Sequence, residues 1–246
     1  AGGGSINMNT VVKLTGTLTE AQTFITTKTN FTNNSNVVDI DLSGTIGDAA
    51  AVDTLSTDIR TLGGGTAEIN LTGVTAISGT FAQLETIIDD SGAVGSNSKF
   101  SGVAAQALTE DSGGGISVAN ANKLSGATTG KVTATVTTGS LATLNGLSAA
   151  AQPANGDAFA LTLNDATVDA GDLATLDSKV DQAGGGSINM NTVVKLTGTL
   201  TEAQTFITTK DNFTNNSNVV DIDLSGTIGD AAAVSYTHLT LPTSND

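Results

Sequence analysis

Ala1-Gly2-Gly3-Gly4-Ser5-Ile6-Asn7-Met8 returns as Ala183-Gly184-Gly185-Gly186-Ser187-Ile188-Asn189-Met190. The second copy follows the first in register to Val234, and over these 52 positions one residue differs, Thr29 against Asp211. A repeat at a fixed offset marks a tandem array, whose units stack because none can bury its apolar face alone. The expected organisation is one full unit over residues 1–182, the start of a near-identical second unit over 183–234, and a tail over 235–246.

Within the long unit a finer beat of about 30 residues recurs, each an alternating segment, a glycine and an amphipathic segment. In the first, Ile6, Met8, Val12 and Leu14 share one parity, which predicts a single half-buried strand over Ile6–Leu14. Leu14-Thr15-Gly16-Thr17 then reads as a turn, and Thr19-Glu20-Ala21-Gln22 as a capping box. The second beat sets Val38, Ile40 and Leu42 against Asp39 and Asp41, and turns at Leu42-Ser43-Gly44-Thr45. Asp48 is placed to cap a helix whose stripe is Val52, Leu55, Ile59 and Leu62, ending at Gly63-Gly64-Gly65. The third runs Ala67, Ile69 and Leu71, turns at Leu71-Thr72-Gly73-Val74, and enters a helix through Thr80–Gln83, with Phe81, Leu84, Ile87 and Ile88 as its stripe.

Residues 91–130 are less regular, with a weak strand near Val103–Leu108 and a weak helix near Val118–Leu124. The beat then recovers as Val132, Ala134 and Val136 before Leu141, Leu144 and Leu147, and as Phe159, Leu161 and Leu163 before Leu173, Leu176 and Val180. Strands are thus expected to begin near residues 6, 37, 66, 103, 131, 158, 188 and 219. Strand, helix, strand with short connections predicts an α/β chain with a parallel sheet. The expected fold is a right-handed solenoid of strand-turn-helix repeats; the alternatives are a parallel β-helix and a doubly wound sheet.

Composition narrows function further. The net charge is −15, with eight Lys and a single Arg, Arg60, against 24 acidic residues. No clustered cationic surface is available for nucleic acid or anionic lipid, and no apolar run reaches membrane-spanning length. Cysteine is absent, so disulfides and thiolate metal sites are excluded. The only Tyr and His, Tyr236 and His238, lie in the tail, which leaves residues 1–234 without a histidine base or histidine metal ligand. An enzyme is not expected.

Carboxylate pairs remain, Asp39/Asp41 and Asp89/Asp90, and solvated faces are the simpler reading of both. If a cofactor is held it is calcium, through Asp39, Asp41, Asp221 and Asp223, although two carboxylates per copy fall short of a full oxygen shell. The triple glycines lack a phosphate-loop frame. The sequons at Asn30, Asn33 and Asn70 follow from composition. Thr133, Thr135 and Thr137 line one strand face, but Asp39/Asp41, Glu68/Asn70 and Ala160/Thr162 on the neighbouring outer faces break any threonine lattice.

The Leu-[Ser/Thr]-Gly corners and stretches such as Ala67-Glu68-Ile69-Asn70-Leu71 resemble leucine-rich repeats in part, without keeping their fixed frame. In style, residues 1–234 resemble the giant Thr/Gly/Asp-rich tandem-repeat proteins of marine bacteria and cyanobacteria, which are secreted or surface-attached. That resemblance implies an extracellular or cell-surface scaffold or adhesin segment. Its partners would be neighbouring repeats, and cell-surface glycans or other surface proteins. Val234–Thr243 resembles the translation of a transposase-type sequencing-library adapter, which implies that the chain is a piece of a longer product.

Overall fold

A computed structural model describes residues 5–37, 39–63, 65–96, 98–148 and 156–226. Val38, Gly64 and the tail at 235–246 lie outside them. The chain is α/β, and every strand pairing among the described residues is parallel. It divides into two compact units, Ala1–Ser112 with Gly126–Val132 and Gly113–Ser125 with Thr133–Asp246.

In the first unit the order is β1 (Ile6–Asn7), β2 (Lys13–Gly16), α1 (Leu18–Thr27), β3 (Phe31–Thr32), β4 (Asp39–Ile46), α2 (Ala49–Leu62), β5 (Glu68–Gly79), α3 (Phe81–Asp89), β6 (Ser91–Gly92), β7 (Phe100–Ser101) and β8 (Ala107–Glu110). β2, β4, β5 and β8 lie side by side, β7 also pairs with β5, and β1 pairs with β3. α2 forms as its pattern predicts. The Asp48 carboxylate accepts the Ala50 N–H at 2.9 Å, and Val52, Leu55 and Ile59 are buried, each stabilising by about 1.5–3 kcal/mol. Leu62, last in the stripe, is half-buried. In α3, Leu84 and Ile87 are buried while Phe81 and Ile88 are half-covered, and the Thr80–Gln83 capping box is present.

Three expectations are corrected here. Ile6–Leu14 is not one strand: Asn7 Oδ1 accepts the Asn9 N–H at 3.0 Å, Met8 O accepts the Val11 N–H, and the chain breaks between β1 and β2. The first helix is capped by Thr17, not Thr19. Thr17 Oγ1 accepts the Glu20 N–H, and Glu20 Oε2 accepts the Thr17 N–H at 2.8 Å. The Leu42-Ser43-Gly44 and Leu71-Thr72-Gly73 corners are not turns between elements, because β4 runs through Gly44 and β5 through Gly73, whereas β2 does end at Gly16, just before α1.

Each of these two corners interrupts a strand without ending it. The β4–β5 register slips between Asp41 and Ser43 and again between Gly44 and Thr45, as at a bulge. Gly44 has φ +84°, and a Cβ on Gly73 would meet Leu42 O at 2.8 Å. The buried Gln106 amide donates to Leu71 O and Val74 O, binding carbonyls on both sides of Gly73. One beat can therefore carry two paired strand segments, as β5 does with β7 at Ile69–Asn70 and with β8 at Ala76–Gly79. The strand expected at Val103 begins at Ala107, because Val103–Ala105 forms a 3₁₀ turn after Gly102.

The second unit holds most of α4 (Val118–Ala127) and β9 (Val132–Thr135), followed by α5 (Leu141–Leu144), β10 (Ala158–Thr162), β11 (Thr167–Asp169), α6 (Ala170–Asp177), β12 (Ser187–Asn189), β13 (Lys195–Thr199), α7 (Leu200–Thr209), β14 (Phe213–Thr214) and β15 (Asp221–Ser225). Its strands form two parallel runs, β9-β10-β12-β14 and β11-β13-β15. The period boundary at Gln182–Ala183 is no break in the fold, since β10 pairs directly with β12.

In both units the partner of a strand residue lies 25 to 31 positions along the chain, the short β6–β7 pair excepted. Lys13 meets Asp39, Ala76 meets Ala107, Thr133 meets Ala158, and Lys195 meets Asp221. Apolar residues stack on one face, as in the row Ile40–Ile69–Phe100, each of them 0% exposed.

Candidate functional site

A parallel register that pairs each strand with the next beat also stacks its polar residues. Lys13, Asp39 and Glu68 form one row across β2, β4 and β5. Thr15, Asp41, Asn70 and Ser101 form the next, reaching β7. Alternation sets both rows opposite the apolar face.

Asp39 and Asp41, the expected ion ligands of the first copy, are two residues apart on this face and half-buried. Asp41 is engaged on both oxygens: Lys13 Nζ lies 3.2 Å from Oδ2, and Asn70 Nδ2 donates to Oδ1 at 3.0 Å. Asn70 Oδ1 in turn accepts from the Thr72 N–H and hydroxyl. In the second copy Lys195 bridges both carboxylates, at 3.4 Å from Asp221 and in direct contact with Asp223. The hydrogen bond to Asp223 is the main cause that raises the Lys195 pKa above its ordinary value. Four carboxylates read from sequence as a cation site thus have three of their number facing lysine. Among the described residues no three His, Cys, Asp or Glu side chains converge as a metal-binding group.

Asp90, of the second carboxylate pair, is ion-paired with Lys99 at 2.7 Å, and Lys99 also lies 3.7 Å from Asp53. That contact with Asp90 raises the Lys99 pKa, against the lowering effects of desolvation and of nearby Arg60. Arg60 itself is structural, donating to Ala67 O and Ser98 O.

Glu68 is buried although it lies in the polar row. It is 4% exposed, its Oε1 accepts the Ser101 hydroxyl at 2.5 Å, and the Gly95 N–H donates to both oxygens. A buried carboxylate without donors is strongly unfavourable, and here β7 and the segment leading into it supply them. No local pattern around Glu68 announces that segment.

Asparagines form a second polar feature, one that sequon reading alone does not find. Asn33 Nδ2 donates to Asn7 Oδ1 at 2.8 Å, and Asn36 Nδ2 to Asn9 O at 2.8 Å. In the other copy Asn215 bonds Asn189 Oδ1 at 2.9 Å, and Asn218 bonds Asn191 O at 2.8 Å. Asn33 and Asn215 both adopt left-handed backbone, with φ 57° and 58°. Each link ties one beat to the next, and the density of Asn at matching places on consecutive beats is the signal that could reveal it. Thr133 and Thr135 do point outward from β9, between the buried Val132, Ala134 and Val136.

The chemistry of this surface is neutralisation and bonding between successive beats. Asp41, Asp221 and Asp223 are each met by a lysine within the face, and asparagine amides link neighbouring beats. The chain matches no protein-family model, no curated protein and no solved structure.

Proposed function

We propose that this chain is a non-catalytic structural or adhesive repeat segment of a large secreted or cell-surface protein. In this reading coils of 25–31 residues stack in parallel as a right-handed solenoid, and the segment serves as an extended scaffold. The observation that carries it is the pairing of each strand with the strand one beat away, repeated through both units. Twin hydrogen bonds in the two copies, Asn33–Asn7 and Asn215–Asn189, support a unit that is built the same way each time it occurs. Such an array contacts its neighbours along one axis and gains length with each unit.

Small-angle scattering tests the architecture. At a strand spacing of about 4.8 Å, a chain of two complete long units should exceed a chain of one by about 30 Å in maximum dimension. Growth of only a few ångströms, as for a sphere of doubled volume, overturns the solenoid. A glycan array tests the role. A scaffold gives no reproducible binding, whereas reproducible hits would replace it with a glycan-binding module.

A further inference from the structure

The second repeat copy is covered on one side by the coil that precedes it. β10 pairs with β12 so that Leu161 meets Ile188, and β11 pairs with β13 so that Val168 meets Leu196. Ala166 O accepts the Val194 N–H at 2.9 Å, Leu163 O accepts the Thr192 hydroxyl at 2.8 Å, and Asp177 Oδ2 accepts from Asn212 Nδ2 at 2.9 Å. Under this cover Ile188, Met190 and Leu196 are 0% exposed, and Phe206 and Phe213 are each 4% exposed.

The same sequence in the first copy has an open face. Ile6 is 63% exposed, Leu14, Phe24 and Phe31 are only half-buried, and a hollow lies among Met8, Leu14, Ala21, Phe24, Phe31 and Ile40. Thr10, Val12 and Asn30 hold the places of Thr192, Val194 and Asn212. The one residue that differs between the copies does not touch this surface: Asp211 is 90% exposed and pairs with Lys210.

We infer that the face formed by Ile6, Leu14, Phe24 and Phe31 is a docking surface for a further copy of the Gly156–Gln182 coil, such as another repeat unit supplies. The inference rests on the stacked-coil reading. The occupant is named by the twin, because an identical surface in this chain already binds that coil through strand pairing, a threonine, an asparagine and an apolar row. A contact learned once is available wherever the same surface recurs.

The test adds a second Gly156–Gln182 segment before Ala1, joined as Gln182 joins Ala183. Amide hydrogen exchange of Val12 should slow by about tenfold or more and approach that of Val194, because an exposed amide gains a strand partner. An extension of equal length with Leu161→Asp and Leu163→Asp in the added segment should leave Val12 unchanged. If Val12 exchanges in the extended chain as in the parent, or if the altered extension protects it equally, the docking surface is overturned while the stacked-coil reading stands. If Val194 in the parent exchanges as fast as Val12, the stacked-coil reading falls and this inference falls with it.

Discussion

Ile188 lies in register with Leu161 of the preceding strand and is 0% exposed, whereas Ile6, its twin in an identical stretch, is 63% exposed. Burial at this position belongs to the neighbouring coil and not to the residue. Ile188→Ala should therefore destabilise the second unit by about 2–5 kcal/mol, and Ile6→Ala should stay within about 0.5 kcal/mol of the parent. Denaturant melts of the two variants decide it, and equal losses would contradict the burial difference.

The Glu68 carboxylate gathers the Ser101 hydroxyl and the Gly95 N–H beneath one segment. Removing it leaves both donors without their acceptor, so Glu68→Ala should cost about 1–3 kcal/mol. Protease susceptibility near Gly95 should rise as well. Full stability in Glu68→Ala would show that the segment is held by other contacts.

Acid should weaken the first helix cap. Bonds from the Thr17 N–H, and then from its hydroxyl, hold the Glu20 pKa below its ordinary value. A lowered folded pKa means the contribution is complete above the unfolded pKa and is lost as pH falls through the folded one. The stability gap between the parent and Glu20→Gln should accordingly shrink on acidification. A gap independent of pH would remove Glu20 from the cap.

Calcium should matter little. Asp41 is met by Lys13 and Asn70, and Asp221 and Asp223 share Lys195, so a cation would have to displace an ion pair in each copy. Addition of millimolar calcium should move Tm by less than about 1 °C, since stabilisation follows ligand concentration over dissociation constant. A transition that shifts with calcium and returns with chelator would make these carboxylates ligands.

The cap at Thr80 gives a local test. Thr80 Oγ1 accepts the Gln83 N–H, and Gln83 Oε1 accepts the Thr80 N–H at 2.8 Å. Thr80→Ala should cost about 0.5–2 kcal/mol in thermal or denaturant melts, and no loss would mean that the box contributes nothing to α3.

The sequence by itself determined whatever is settled within a few residues. The alternation of Ile40 and Leu42 with Asp39 and Asp41 yields a strand, Asp48 and the Val52–Leu55–Ile59 stripe yield α2, and Thr80–Gln83 yields the entry to α3. The 182-residue repeat and the α/β class were legible for the same reason, since both are patterns along the chain. Tertiary structure alone decided that β4 and β5 continue through Gly44 and Gly73 instead of ending there; at Gly73 the chain packs against Leu42 and Ser43 of the preceding beat and is bonded on both sides by Gln106 of the next. It decided that Glu68 is buried by the segment that holds Gly95 and that Lys195 holds two of the expected ligands. It also separated Ile6 from Ile188, which no local reading can do. Solvent exposure depends on a strand 25 to 31 residues away, and two identical sequences differ once one of them has that strand beside it.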